Sequence, residues 1–332
     1  MQRIILLSGV LLIAPVVQAV EVSDQLEVFG TIEVEYSDRR GDSPAESGSA
    51  LATGALGATL KPNAHFDITT SFLYEEDPNA VATPLEVDES YVTWHALPQE
   101  RLDLSAGKQY LPFGKFSTAM VSDPLTLELG ETRSDAVLQA RTQRGNLTTH
   151  GWVFDGKSTK TGGASQHNGG YGAGIAYTTE KAAIGADYLS NLAESANFDG
   201  KRNVNQRIPA LAVHGSVKVG ERVTLLGEHL TALKRFQVGD VEEDGNGGLT
   251  APAKPAATHL EANLDLKRDR TLAVAWNNTR DAAELGLPKT AYGVAYRQPI
   301  YGDLQGALEW QRAKDYANAR DNTLTLQLSY EF

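Results

Sequence analysis

Residues Gln25–Ser37 read QLEVFGTIEVEYS. Leu26, Val28, Gly30, Ile32, Val34 and Tyr36 fall on one face of an extended chain, and Gln25, Glu27, Thr31, Glu33 and Glu35 on the other, where Phe29 is the lone apolar member. Apolar and polar residues that alternate with a period of two make a β-strand with one wet and one apolar side. The chain ends in the same way. Asp321–Phe332 reads DNTLTLQLSYEF and places Leu324, Leu326, Leu328, Tyr330 and the terminal Phe332 at every second position.

The pattern recurs between these ends. Strands are predicted near 49–61, 64–74, 85–96, 101–110, 133–143, 147–156 and 170–179, and again near 182–191, 207–219, 222–235, 256–267, 270–281, 291–298 and 303–314. With the two terminal strands the total is about sixteen, an even number as closed single-chain barrels of bacterial outer membranes require. Every second connection is short: KPNA, LPQER, QRGN, TEKA, VGER, KRDR and QPIYGD. Those between are mostly longer and rich in Gly, Pro, Asp and Asn, as in RRGDSPAESGS, EEDPNAVATP and FQVGDVEEDGNGGLTAPAKPA. Short turns on one side and long loops on the other are the asymmetry of such a barrel. The expected fold is therefore all-β: a transmembrane antiparallel up-and-down β-barrel with both termini in the periplasm. A terminal Phe preceded by alternating aromatic and apolar residues also resembles the ending of bacterial outer-membrane barrels.

Composition agrees. The chain has 332 residues, 41% hydrophobic and 22% charged, with 31 Gly and no Cys. A mean hydropathy of -0.30 excludes a bundle of membrane helices. A barrel tolerates so polar an average because lipid replaces its core: outward residues are apolar while inward ones are free to be Glu, Asp, Lys or Thr. Lys+Arg 30 against Asp+Glu 42 gives a net charge of -12, which argues against a nucleic-acid partner. The lack of Cys removes disulfides, thiolate metal sites and Cys nucleophiles. Residues 1–19 carry Arg3, an apolar run over Ile4–Val17, and Val17-Gln18-Ala19 before a cleavage point, which reads as a signal peptide with the barrel over 20–332. The expected location is the outer membrane, with lipid and lipopolysaccharide as surroundings. Tyr36, Tyr74, Tyr91, Trp94, Tyr110, Tyr177, Tyr188, Tyr296, Tyr301, Trp310, Tyr330 and Phe332 are candidates for aromatic girdles at the two interfaces.

One stretch departs from the rest in its density of charge and Pro. It runs LYEEDPNAVATPLEVDESYVTW and then LSAGKQYLPFGKFSTAMVSDPLTLELGETRSDA. In the strand count, 111–132 is the third long external loop, the place for a segment that folds inward and narrows the lumen. Pro112, Gly114 and Pro124 fix its turns, and TLELGETR reads as a short strand or an edge laid on the wall. Asp123, Glu128 and Glu131 oppose Lys108, Lys115, Arg133 and Arg141, the two signs of a charged constriction that sets selectivity. Tyr110, Phe113 and Phe116 offer apolar contact area to a bulky solute. The plainer alternative is a loop that only reinforces the barrel mouth through ion pairs.

Four motifs in this region resemble the LbtU-type siderophore porin family of outer-membrane barrels: LYEED (Leu73–Asp77), PLEVDESYV (Pro84–Val92), AGKQYLPFG (Ala106–Gly114) and MVSDPLTLELGETR (Met120–Arg133). Lys108 and Lys115 depart from that pattern, standing where Arg and Asn are expected. The resemblance implies an outer-membrane receptor or porin that passes ferric siderophores into the periplasm, and the chain length points to passage without TonB. The residues expected to carry the function are those of Lys108–Arg133 and the acidic cluster from Glu75 to Glu89. A siderophore brings its own iron ligands, so the protein need not coordinate the metal. A TonB-driven receptor would need a longer chain with an N-terminal plug. The rival reading is a general diffusion porin for small hydrophilic solutes, and an adhesive or purely structural barrel ranks last.

The acidic mouth formed by Glu75, Glu76, Asp77, Glu86, Asp88 and Glu89 is rich enough in oxygen to hold Ca2+ or Mg2+, although a solvated mouth without an ion is the simpler expectation. No other cofactor is expected. The seven His are scattered singly, and there is no G-x-S-x-G elbow, so no catalytic constellation is expected. GGYGAG at 169–174 opens a strand and is not followed by a helix, so it is no phosphate cradle. The apolar outer face suits either a monomer in lipid or a homotrimer.

Overall fold

The structure, a computed structural model, describes residues 19–76, 84–97, 101–160, 169–198, 203–241 and 248–332. The expected leader, up to Gln18, and Asp77 lie outside these residues.

Sixteen long strands follow one another around a closed wall. The first eight are β1 (Leu26–Gly41), β2 (Glu46–Asn63), β3 (Phe66–Tyr74), β4 (Glu86–Leu97), β5 (Leu102–Tyr110), β6 (Arg133–Arg144), β7 (Leu147–Phe154) and β8 (Gly170–Thr178). The second eight are β9 (Ala182–Leu189), β10 (Ala210–Val219), β11 (Val223–Ala232), β12 (Ala256–Leu266), β13 (Arg270–Arg280), β14 (Thr290–Tyr301), β15 (Leu304–Lys314) and β16 (Arg320–Glu331). Each pairs antiparallel with the next, and β16 closes on β1 with Gln327 opposite Glu35 and Leu328 opposite Val34. Closure leaves the wall without an edge, so backbone donors and acceptors are paired even where the surroundings are hydrocarbon.

The period-two pattern sorts the two faces as expected. Ile32, Val34, Tyr36, Leu324, Leu326, Leu328 and Tyr330 are exposed on the outside. The residues between them, among them Glu33, Glu35, Thr325, Gln327 and Ser329, turn inward. Trp94 stacks on Phe66 with ring centroids 6.4 Å apart, and Tyr292 meets Trp310 edge-on at 5.9 Å, both on the outer surface. Tyr91 and Tyr110 leave the expected girdle. Tyr91 alternates with the outward Val92, and Tyr110 hydrogen-bonds Asp88 and Glu89.

The connections keep their asymmetry, with tight turns on one side such as 64–65, 145–146 and 302–303. The other side carries L2 (75–85), L3 (111–132), L4 (155–169), L5 (190–209) and L6 (233–255). Two expectations need correction. RRGDSPAESGS is not a long loop: β1 and β2 run on as a ribbon to Arg39 opposite Glu46, and only residues 42–45 connect them. The ribbon is held at its tip by Ser43, which donates to Asp321 on β16 through both its N–H and its hydroxyl. TLELGETR is not a strand either. Leu125–Gly130 form a short helix, α1, which buries Leu125, Thr126, Leu127 and Leu129 and leaves Glu128 outermost. Apolar residues on three sides of one helical turn imitate alternation when read in line. The Pro124 carbonyl accepts from Leu127 at 2.9 Å and Glu128 at 3.3 Å to start the turn.

Candidate functional site

L3 joins β5 to β6, which are neighbours in the wall, yet it crosses to the far side of the barrel in between. Outbound, its backbone meets a row of wall carboxylates. Gly114 N–H donates to Asp187 of β9 at 3.1 Å. Lys115 and Phe116 N–H donate to Glu228 of β11 at 2.7 and 2.9 Å. The Thr118 hydroxyl and Ala119 N–H share Glu261 of β12 at 2.5 and 2.7 Å, and Val121 and Ser122 N–H share Glu309 of β15 at 2.5 and 3.1 Å. Arg297 of β14 supplies the complementary donors, to the carbonyls of Ala119 at 2.8 Å and Met120 at 2.5 Å. On the way back, Leu125 N–H reaches Asn277 of β13 at 3.2 Å and the Thr126 hydroxyl returns to Glu228 at 3.1 Å. An irregular segment inside a narrow lumen has no ladder to satisfy its N–H groups. Charged acceptors make such bonds short and strong.

The other face of L3 is apolar and sealed. Leu111, Phe113, Phe116, Leu125, Leu127 and Leu129 share one core with Trp152, Phe154, Leu189 and Leu230 of the wall and with Leu192, Phe198, Ile208, Phe236 and Leu249 of L5 and L6. Phe198 stacks on Phe236 at 5.1 Å. Hydrogen bonds knit the loops together: Ala196 N–H to the Glu131 carbonyl at 2.8 Å, Val241 N–H to the Asn203 carbonyl at 2.7 Å, and Lys157 N–H to Glu194 at 2.7 Å. The β6–β13 side of the outer mouth is thus filled by a packed core. Phe113 and Phe116, expected to meet a solute, are 1% and 6% exposed and belong to this core. Aromatic bulk in the loop serves packing.

Histidines that look scattered in the sequence line the same wall. His150 and His214 place their Nε2 atoms 3.0 and 3.1 Å from the two oxygens of Asp187, one anchor of L3. Space for the pair comes from Gly174 on β8, where an added Cβ would lie 1.9 Å from Asp187 and 2.2 Å from His150. His259 bonds Asn277 at 2.9 Å and stands 3.2 Å from Glu261, so two further anchors adjoin an imidazole. His229 faces outward and bonds Thr258 at 2.8 Å. At the turn side, His95 lies between Asp103 at 2.7 Å and Asp67 at 3.2 Å, beside a cleft of about 270 Å³ that Arg101 and Arg141 also line. Arg141 therefore does not oppose the acids of L3. Cross-strand register creates these clusters, and the sequence spacing of the histidines gives no sign of it.

The remaining side of the lumen, β1–β5 with the outer edge of L3, carries the other residues expected at the constriction. Arg133 holds Asp88 at 2.6 Å and Glu86 at 3.2 Å and lies 5.7 Å from the centre of the Tyr110 ring. The Tyr110 hydroxyl donates to Asp88 at 3.0 Å, and its N–H to Glu89 at 3.1 Å. Lys108 turns to the Val87 carbonyl at 2.5 Å and to Asp135 at 3.7 Å rather than to an acid of the loop. The Lys115 side chain is exposed on L3, and Asp123 is half-buried there. Glu76 joins the end of β2 by accepting from Leu51 N–H at 2.8 Å. Three carboxyls near the mouth are pushed well above their usual range, first by burial and then by neighbouring acids. Beside Glu131, Glu75 rises to about 7 and Glu128 to about 8. Glu131 rises to about 7 beside Asp88 and Glu89, and the field of Arg133 opposes the rise at Glu75 and Glu131. Among the described residues no group of three or more acidic or His side chains converges as a metal site.

No family model matches the chain. A UPF0422 protein of Coxiella burnetii is 29% identical over 266 residues, 76% of this chain and 56% of that protein. A UPF0422 protein of Legionella pneumophila (strain Lens) is 25% identical over 295 residues, 80% of this chain and 54% of that protein. The chain thus spans about half the length of the curated relatives it matches. Among solved structures, an anion-selective porin from Comamonas acidovorans superposes with a TM-score of 0.65 at 12% identity, covering 92% of this chain and 99% of that one. Salmonella typhi OmpF in complex with daunomycin gives 0.63 at 11% identity, covering 92% and 97%. At such identities the likeness concerns the fold: a closed, porin-type barrel of sixteen strands.

Proposed function

We propose that the protein is an outer-membrane porin that admits ferric siderophores to the periplasm, passively and without TonB, and that L3 sets what may enter. The observation that carries the reading is the path of L3. The longest motif resembling the siderophore porins, Met120–Arg133, is the segment that crosses the lumen and bonds Glu228, Asn277 and Glu309 on the far wall. The exposed apolar residues of the outer face suit a bilayer, and porin-type barrels of the same architecture support a conducting lumen. No catalytic role is part of the proposal.

Uptake of labelled ferric siderophore into liposomes bearing the refolded protein, beside a small uncharged sugar, tests it. Saturable entry of the iron complex, competed by excess unlabelled complex, is the expected result. Entry of the sugar alone, in proportion to its concentration, would make the barrel a general diffusion pore, the reading that its porin-type architecture alone would favour.

A further inference from the structure

We infer that the long-loop rim of β13–β16 holds the phosphates of outer-leaflet lipopolysaccharide on four outward cations, Arg280, Arg312, Lys314 and Arg320. The inference rests on the porin reading above, which puts that rim at the cell surface. Register decides where these side chains point. On β15 the outward Leu308 and Trp310 are followed, at the same period of two, by Arg312 and Lys314. On β16 the outward Leu324 is preceded by Asn322 and Arg320, and on β13 Val274 and Trp276 are followed by Asn278 and Arg280. The ladders are regular here. Lys314 stands opposite Arg320 on one side and Thr290 on the other, and Arg312 opposite Asn322 and Tyr292. Arg280 ends β13, two strands from β15 and so about 10 Å away.

The depth of the cluster fits headgroups. Tyr292, directly across from Arg312, meets Trp310 edge-on at 5.9 Å on the outer surface. Aromatic residues in such a belt mark the level where hydrocarbon gives way to headgroups, so cations one step beyond it stand beside lipid phosphates. Within the protein these cations lack partners: among the described residues none of the four side chains makes an ion pair or a hydrogen bond. The rim acids are engaged elsewhere. Asp38 pairs with Arg40 at 3.0 Å, Asp315 accepts the Ala319 N–H at 2.8 Å, and Asp42 accepts the backbone N–H of Arg320 at 2.9 Å rather than its guanidinium. Lys314 and Arg320 are like charges directly across a ladder, a costly arrangement that an anion between them relieves. The strands β7–β9 contrast, for they contain no Lys or Arg and face outward with Val153, Tyr171 and Tyr188. Guanidiniums bind phosphate through two parallel hydrogen bonds, so the cluster selects a phosphorylated glycolipid over an uncharged one.

The test is binding of bisphosphorylated lipid A in detergent to the refolded full-length barrel, beside the same lipid with both phosphates removed. The phosphorylated form should bind at least about tenfold tighter, the worth of one hydrogen bond to a charged group. The triple variant Arg312→Gln, Lys314→Gln, Arg320→Gln should lose this preference, while Lys267→Gln in the turn at the opposite rim should keep it. Heat-induced gel mobility checks that each variant is folded, and Arg280→Gln alone should give a partial loss. Equal binding of the two lipids, or a preference that survives in the folded triple variant, would overturn the inference. Competition by millimolar inorganic phosphate would make the cluster a site for free anions and overturn the lipid assignment. Solute passage into liposomes should be the same in the triple variant and the wild type, because the four side chains face away from the lumen. Failure of lipid binding therefore leaves the porin reading standing, whereas a barrel that prefers phosphorylated lipid but passes no solute would overturn that reading alone.

Discussion

Glu228 on β11 and Glu33 on β1 point into one lumen from opposite walls, and their surroundings have little in common. Glu228 is 5% exposed and accepts the N–H groups of Lys115 and Phe116 and the hydroxyl of Thr126. Glu33 alternates with the outward Ile32 and Val34 on the side that L3 leaves open. The same residue type holds the loop on one wall and supplies a field on the other. Partner donors make the difference: a carboxylate given backbone N–H groups of L3 becomes an anchor for the loop, whereas Glu33 stands in the field of wall groups, Arg297 among them.

The sharpest way to break this comparison is to remove an anchor or its apolar counterpart. Phe113→Ala empties a fully packed position in the core shared with L5 and L6, and it should cost about 3–5 kcal/mol of stability, read as a lower unfolding midpoint in urea. Glu228→Ala leaves three buried donors without an acceptor. At roughly 1.5–3 kcal/mol for a hydrogen bond to a charged group, L3 should come away from β11, and single-channel conductance should rise and grow noisy. Glu228→Gln keeps one acceptor oxygen and should fall between. Unchanged conductance in Glu228→Ala would mean that the apolar core alone holds the loop.

The pH dependence concerns the buried carboxyls of L2 and L3. Glu75, Glu128 and Glu131 have carboxyls raised to about 7, 8 and 7 against an ordinary 4.5, so the folded barrel binds these protons more tightly than the unfolded chain does. Stability should therefore fall as pH rises from about 4.5 to 8, read as a lower unfolding midpoint in urea at pH 8.5 than at pH 5. A midpoint that is flat over this range would show that these carboxyls are not buried in the folded barrel. The smallest effect is expected at Lys115→Glu: its exposed side chain leaves the anchoring N–H untouched, so stability should change by no more than about 0.5 kcal/mol in the same unfolding assay.

Much of the wall was legible in the sequence because its rule is local. Alternation over a strand and turn residues at its ends depend on neighbours two to six positions apart, and QLEVFGTIEVEYS and DNTLTLQLSYEF display both. That residues 111–132 fold inward was legible from their place in the strand count. What the loop does inside was not. Its partners are distant in sequence, Glu228 lying 113 residues from Lys115 and Glu309 lying 188 from Val121. Nothing near a Glu in a strand tells whether an N–H group of another segment will reach it. For the same reason Phe113 read as a ligand contact before its packing was seen, and His150, Asp187 and His214 read as unrelated. Register across four strands of the wall, β7 to β10, brings them together. Helix α1 is not legible because six residues, LTLELG with Thr126 and Glu128 as polar members, are too few to separate a period of two from a turn of helix.

The claim that L3 divides the lumen into a sealed and an open half can be tested directly, because the chain contains no Cys. Glu33→Cys on the open side and Ala212→Cys in the sealed core are treated with a charged, membrane-impermeant thiol reagent while conductance is recorded. The reagent should react rapidly at position 33 and lower the conductance, and leave position 212 unmodified in the folded barrel. Equal reaction at both positions would contradict the division.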